Sequence, residues 1–132
     1  MQDSYDILII GGGMVGTSLA CALEQSNYSV ALLEAQLPQE LALNTQPDVQ
    51  DFDLRVSALT AASRQFLTHV GVWDKLPKER LSAYQSMSVW DGEGTGAIQF
   101  HAQEISESCL GHIVENSVTV NGLFKRLKEC RQ

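Results

Sequence analysis

Gly11, Gly13 and Gly16 stand in G-x-G-x-x-G spacing, and an acidic residue, Glu34, closes the apolar run that comes next. Each has a physical task if the spacing serves a phosphate ligand. Gly11 permits a tight strand-to-helix turn, Gly13 lets a pyrophosphate approach the backbone, and Gly16 lets the helix pack hard on the strand. The free N–H groups and positive dipole end of the helix face the phosphates. Glu34 is placed to accept hydrogen bonds from a ribose 2′-OH, and its charge would repel a 2′-phosphate. The pattern serves FAD and NAD alike, since both carry ADP. A glycine-rich stretch can also be only a tight turn, so the flanking elements decide how much the spacing means.

Those elements fall in register. Ile7 to Ile10 is an unbroken apolar run, suited to a strand buried on both faces of a parallel sheet. Met14 to Gln25 reads as a helix with Val15, Leu19, Ala22 and Leu23 on one face. Ser29 to Leu33 reads as a second strand ending on Glu34. The expectation is a Rossmann-like α/β domain whose βαβ unit binds a dinucleotide.

Composition fits that class. The chain has 132 residues, 44% hydrophobic and 19% charged, enough for one domain with a real core. A net charge of −7, without a Lys/Arg-rich patch, argues against nucleic acid as a partner. No apolar run approaches the ~18 residues of a membrane span. The first strand begins too early for a signal peptide to precede it. Cys21, Cys109 and Cys130 are far apart and lack metal spacing, with Cys21 read as a small buried residue. A reducing, cytoplasmic setting follows. A doubly wound fold needs more strands than this length supplies, so the sequence reads as truncated, one domain over 1–132.

Further along, residues 35–53 have the composition of a mobile surface loop. Thr60 or Ser57 could cap a helix running to Val70, with Leu59, Ala62, Phe66, Leu67 and Val70 as its apolar face and Gly71 just beyond. Arg55, by its neighbours alone, reads as solvated or salt-bridged. Asp74 to Arg80 reads as a short polar helix or turn containing Pro77. Ser86 to Trp90 and Ala97 to Phe100 form a hairpin across Asp91-Gly-Glu-Gly-Thr-Gly96, and Leu110 to Val114 is a further strand. Asn116 or Ser117 would cap a last helix from Val118 to Cys130, weakened by Gly122 at about 1 kcal/mol. In its last turns Lys125, Arg126, Lys128 and Arg131 would complement the dipole. His69, His101 and His112 lack ligand-spaced partners, so no metal site is expected. No residue can be assigned as a catalytic acid, base or nucleophile.

Four segments occur in order: Asp6-Ile-Leu-Ile-Ile-Gly-Gly-Gly-Met-Val-Gly16, Leu54-Arg-Val-Ser-Ala-Leu59, Gly71-Val-Trp73 and Gly111-His-Ile-Val-Glu-Asn116. Together they resemble the N-terminal portion of the ubiquinone-biosynthesis hydroxylases. These are FAD-dependent aromatic-ring monooxygenases similar in plan to para-hydroxybenzoate hydroxylase. The resemblance implies FAD as cofactor, NAD(P)H as reductant, O2, and a polyprenylated phenol or quinol as substrate. It implies cofactor contacts from Gly11, Gly13, Met14, Val15 and Gly16, from Glu34 and Ala35, from Arg55, Ser57 and Ala58, and from Asn116. For Arg55 this replaces the solvated reading. Implied partners are a second copy of the chain or other proteins of the ubiquinone pathway, in the cytoplasm or peripherally at the inner membrane. The chain departs from the family at Thr119-Val-Asn-Gly-Leu123, where relatives carry a glutamine and an alanine-leucine pair. The alternatives from other classes are a non-catalytic adenine-dinucleotide-binding module and an inactive fragment.

Overall fold

The computed structural model describes residues 4–36, 38 and 48–130. The chain opens with β1 (Ile7–Ile10), α1 (Met14–Ala22) and β2 (Val30–Leu33), and β1 pairs with β2 in parallel with Ile10 opposite Leu33. This is the expected βαβ unit. Two details differ. The helix ends at Ala22, short of Gln25. And β1 is not buried on both faces: Ile9 is buried, but Leu8 is 56% and Ile10 81% exposed. Side chains alternate across a strand, and α1 lies on the Ile9 side of a sheet that has two strands among the described residues.

The second sheet is antiparallel, in the order β3 (Val56–Thr60), β7 (Gly111–Glu115), β4 (Ser82–Tyr84). Residues 56–60 are therefore strand, and Ser57 lies within it instead of capping a helix. Thr60 is the cap: its hydroxyl accepts the Ser63 N–H at 3.3 Å and begins α2 (Ala61–His69). Leu59 is buried as the last-but-one residue of β3, and Ala62 and Phe66 of α2 are exposed. Gly71 follows α2 at φ +77°, a backbone conformation that closes helices and favours glycine. Two 3-10 turns, Trp73–Lys75 and Lys78–Arg80, lead to β4, which the sequence pattern had not revealed. The hairpin β5 (Ser86–Trp90) and β6 (Ala97–His101) stands as expected.

The chain closes with α3 (Asn116–Glu129), whose N-cap is Glu115 rather than Asn116 or Ser117 and makes no side-chain cap bond. Val118, Thr119, Asn121 and Leu123 are its buried face. They meet α1 through Thr17 and Cys21, with the Cys21 Sγ 3.8 Å from the Leu123 carbonyl. This reverses the expected face of α1, leaving Val15, Leu19 and Ala22 exposed. Gly122 has a packing reason, since a Cβ there would lie 2.6 Å from Leu76 Cδ2. Arg126 ties the helices together instead of merely answering a dipole: it pairs with Glu24, and its Nε donates to Val70 O at 3.0 Å. Arg131 lies outside the described residues, as do 37 and 39–47 of the expected loop. The described end of that loop is built: Asp48 and Asp51 cap the 3-10 turn Val49–Asp51 reciprocally.

Candidate functional site

Two groups of residues make up the candidate site. The first is the turn from β1 into α1. Gly11 leaves the strand with its N–H bonded to Leu33 O at 2.8 Å and adopts φ +99°, which L side chains rarely reach. Gly16 is fixed by space: a Cβ there would stand 1.9 Å from Gly11 O and 3.2 Å from Ile9 Cγ2. Gly13 is different. Its φ is −71° and an added Cβ would meet nothing within 4 Å, so the fold itself does not need glycine there.

Gly13 is also the N-cap of α1, and it provides no side-chain bond to the first turn, which carries no acidic residue. The first N–H groups of a helix have no partner within it. An open cradle in front of uncapped N–H groups suits a pyrophosphate, so the residues present fit the adenine-dinucleotide part of FAD. Met14 and Val15 form the first turn behind it. Two neighbours complete the turn that spacing alone had not singled out. Gly12 is buried, and its N–H donates to Glu34 Oε2 at 2.5 Å. Thr17, fully buried, donates its hydroxyl to Gly13 O and bridges towards Gly12 O at 3.4 Å.

Glu34 follows β2 directly, so parallel pairing sets its carboxylate against the glycine turn. The Gln36 N–H, at 3.0 Å, and then the Gly12 N–H hold its carboxyl below the ordinary carboxylate value. A carboxylate kept ionised at the end of β2 can accept ribose hydroxyls. Ala35 beside it is exposed.

The second group sits where β3 begins and β7 ends. Ser57 Oγ donates to Asn116 Oδ1 at 2.5 Å, and the Asn116 N–H donates to Arg55 O at 2.9 Å. Arg55 is exposed, Ala58 is exposed on β3 opposite Ile113, and Asn116 is the first residue of α3. The Arg55 N–H bonds Asp53 Oδ1 at 3.0 Å. That bond, and then the Ser117 hydroxyl, lowers the Asp53 pKa. Between α1 and α2 lies a groove of about 530 Å³, with Met14, Val15 and Leu19 on one wall and Leu59, Ala62 and Phe66 on the other. Its apolar walls explain why Val15 and Leu19 look core-like in sequence yet are exposed.

The family model described as FAD dependent oxidoreductase matches residues 6–42, the glycine turn through β2 and beyond. The chain is 37% identical over 123 residues to 3-demethoxyubiquinol 3-hydroxylase of Escherichia coli (strain K12), covering 93% of this chain and 30% of that protein. It is 37% identical over 131 residues to ubiquinone biosynthesis monooxygenase COQ6, mitochondrial, of Xenopus tropicalis, covering 94% of this chain and 26% of that one. The chain thus spans between a quarter and a third of the length of these curated relatives. Among solved structures, a four-substitution mutant of P. aeruginosa PqsL superposes with a TM-score of 0.66 at 16% identity, over 96% of this chain and 31% of that one. The p-nitrophenol 4-monooxygenase PnpA of Pseudomonas putida gives a TM-score of 0.61, also at 16% identity, over 94% and 29%. At such identities the structures speak for the fold. Across nearly all of its length, the chain is similar to the first part of ubiquinone-biosynthesis hydroxylases, and its glycine turn lies in the segment that matches the FAD dependent oxidoreductase model.

Proposed function

We propose that residues 1–132 supply the adenine-dinucleotide part of an FAD site in a flavin-dependent monooxygenase. The whole protein would hydroxylate a polyprenylated phenol or quinol ring in ubiquinone biosynthesis, using NAD(P)H and O2. One observation carries the reading: Gly13 has room for a side chain, lacks one, and sits before an uncapped helix terminus beside an ionised carboxylate. The sequence likeness to the hydroxylases supports the substrate class.

Bound FAD would supply electron transfer from NAD(P)H and oxygen transfer to the ring. This chain's residues bind and orient. The Gly11–Gly16 turn would receive the pyrophosphate, with the Met14 and Val15 backbone behind it. Glu34 would accept the ribose hydroxyls, with Ala35 alongside. Arg55 would bring a positive charge towards the phosphates and flavin, and Ser57, Ala58 and Asn116 would line the cofactor's path. Among the described residues no helix is long and apolar enough to cross a membrane. We place the protein in the cytoplasm, peripheral to the inner membrane, where self-association or other ubiquinone-pathway proteins would bring it to its lipid substrate.

The test is an absorbance spectrum of the purified protein with an FAD titration followed by flavin fluorescence. Saturable binding with flavin absorbance is expected. A colourless protein that binds NAD would point to a non-catalytic dinucleotide module. A folded protein that binds neither would refute the proposal.

A further inference from the structure

Arg80, read from sequence as part of a polar turn, is only 4% exposed. Its Nη1 donates to both oxygens of Glu115, at 3.1 and 3.0 Å, and to the Asp51 carbonyl at 3.0 Å. Its guanidinium carbon lies 4.6 Å from the Phe52 ring centroid. Glu115 is buried too, and its Oε1 also accepts the Asp53 N–H at 2.7 Å. One carboxylate therefore holds both a cation and the backbone of the segment that leads into Arg55.

Stability does not explain this arrangement. Replacing a buried ion pair by apolar residues of similar volume is often neutral or stabilising. Arg80 also leaves its Nε buried without a partner, which adds a desolvation cost. What charged, directional groups provide here is register. Asp51 and Asp53 are fixed to the β7–α3 junction by bonds that apolar side chains could not make. The chain of bonds then runs on: Asp53 to the Arg55 N–H, Arg55 O to the Asn116 N–H, and Asn116 to Ser57.

We infer that Arg80 and Glu115 are positioning residues for the cofactor, a buried latch that sets where Arg55, Ser57 and Asn116 stand. The cofactor part of this inference rests on the FAD site proposed above. Neither latch residue touches the ligand; both act through the 51–57 segment. Removing the latch should release that segment while leaving the core, centred on Val114, Val118 and Leu123, in place.

The experiment compares the wild-type protein with Arg80→Met and with the double variant Arg80→Met/Glu115→Leu, which keeps the volume filled and leaves no lone buried charge. Amide hydrogen exchange is read at Asp53, Asn116 and Leu123, and FAD affinity is measured in parallel. The expected result is faster exchange at Asp53 and Asn116, unchanged protection at Leu123, and FAD binding weakened about tenfold, the equivalent of one well-placed hydrogen bond. If Arg80→Met fails to fold, the double variant gives the same readouts. Unchanged exchange at Asp53 and Asn116 would overturn the latch. Faster exchange there with wild-type FAD affinity would overturn its positioning role. If the wild-type protein binds no FAD, the proposed function falls with the cofactor role, and the exchange data still decide the latch.

Discussion

Replacing Gly13 with alanine separates what the fold needs from what the ligand needs. Two small effects on stability oppose each other. At φ −71° with nothing within 4 Å of the new Cβ, alanine fits, and restricting the unfolded chain stabilises by about 0.4–1 kcal/mol. Gly13 is also an N-cap, where alanine is disfavoured relative to glycine by roughly 0.5–1 kcal/mol. The two nearly cancel, so the denaturation midpoint should hardly move. For a pyrophosphate the same methyl group is an obstacle, because it occupies the space through which the phosphate oxygens reach the backbone. FAD affinity should drop by about a hundredfold, an overpacking penalty of roughly 2–3 kcal/mol in a close-fitting site. Thermal denaturation and FAD titration on the same preparation test both halves. Gly16→Ala is the contrasting control: 1.9 Å from Gly11 O, its Cβ must push the helix off the strand, so stability and binding should fall together. Wild-type affinity in a well-folded Gly13→Ala protein would refute the assignment of the glycine turn to the pyrophosphate.

Three other perturbations have defined outcomes. Gly122→Ala gains about 1 kcal/mol of helix propensity but puts a Cβ 2.6 Å from Leu76 Cδ2 and 3.3 Å from Val72 Cγ1, at a cost of about 1–3 kcal/mol. Urea denaturation should therefore show a net loss of about 1 kcal/mol, and a gain would mean that buried Leu76 can swing aside. Cys21 is 4% exposed and its thiol is pushed up to about 11, chiefly by burial, so the folded protein should leave it unalkylated by iodoacetamide at pH 8. Peptide mapping reads this directly, and rapid labelling of Cys21 under native conditions would contradict the packing of α1 on α3. The Glu34 carboxyl is held below its ordinary 4.5, so its contribution to stability is present above that value and lost as pH falls through the lowered one. Urea midpoints of wild type and Glu34→Gln should differ at pH 7 and converge on acidification; a gap that widens at low pH would reverse the sign of the argument.

What could be read from sequence was local. The β1–α1–β2 unit depends on glycine spacing and short apolar runs within some thirty residues, and its element order and acidic terminus match the structure. The errors lie where distant partners decide. Residues 56–60 carry two plausible helix caps, and only pairing with β7, more than fifty residues later, makes them a strand. The buried face of α1 is Thr17 and Cys21 because α3 lies there, a partner the helix's own periodicity cannot reveal. Arg80 reads as the end of a polar turn because its neighbours are charged and its acceptors, Asp51 and Glu115, lie 29 and 35 residues away. Within the site, Gly12 fills an x position of the G-x-G-x-x-G spacing, yet the bulk of Glu34 confines it: a Cβ would come within 2.9 Å of Glu34 Cβ.

The packing of α1 on α3 has a consequence for how the protein is made. Thr17 and Cys21 bury their side chains against a helix that begins at Asn116, and the Cys21–Leu123 contact spans 102 residues. During synthesis the ribosome delivers the glycine turn, β2 and Glu34 long before that partner exists. A nascent chain of residues 1–115 would hold all of the glycine motif while exposing the inner side of its helix. Contacts so far apart in sequence carry a loop-closure cost and form late. The interval before α3 emerges is when the nascent chain is most open to aggregation or to chaperones. Slowing translation before residue 116 would lengthen that interval.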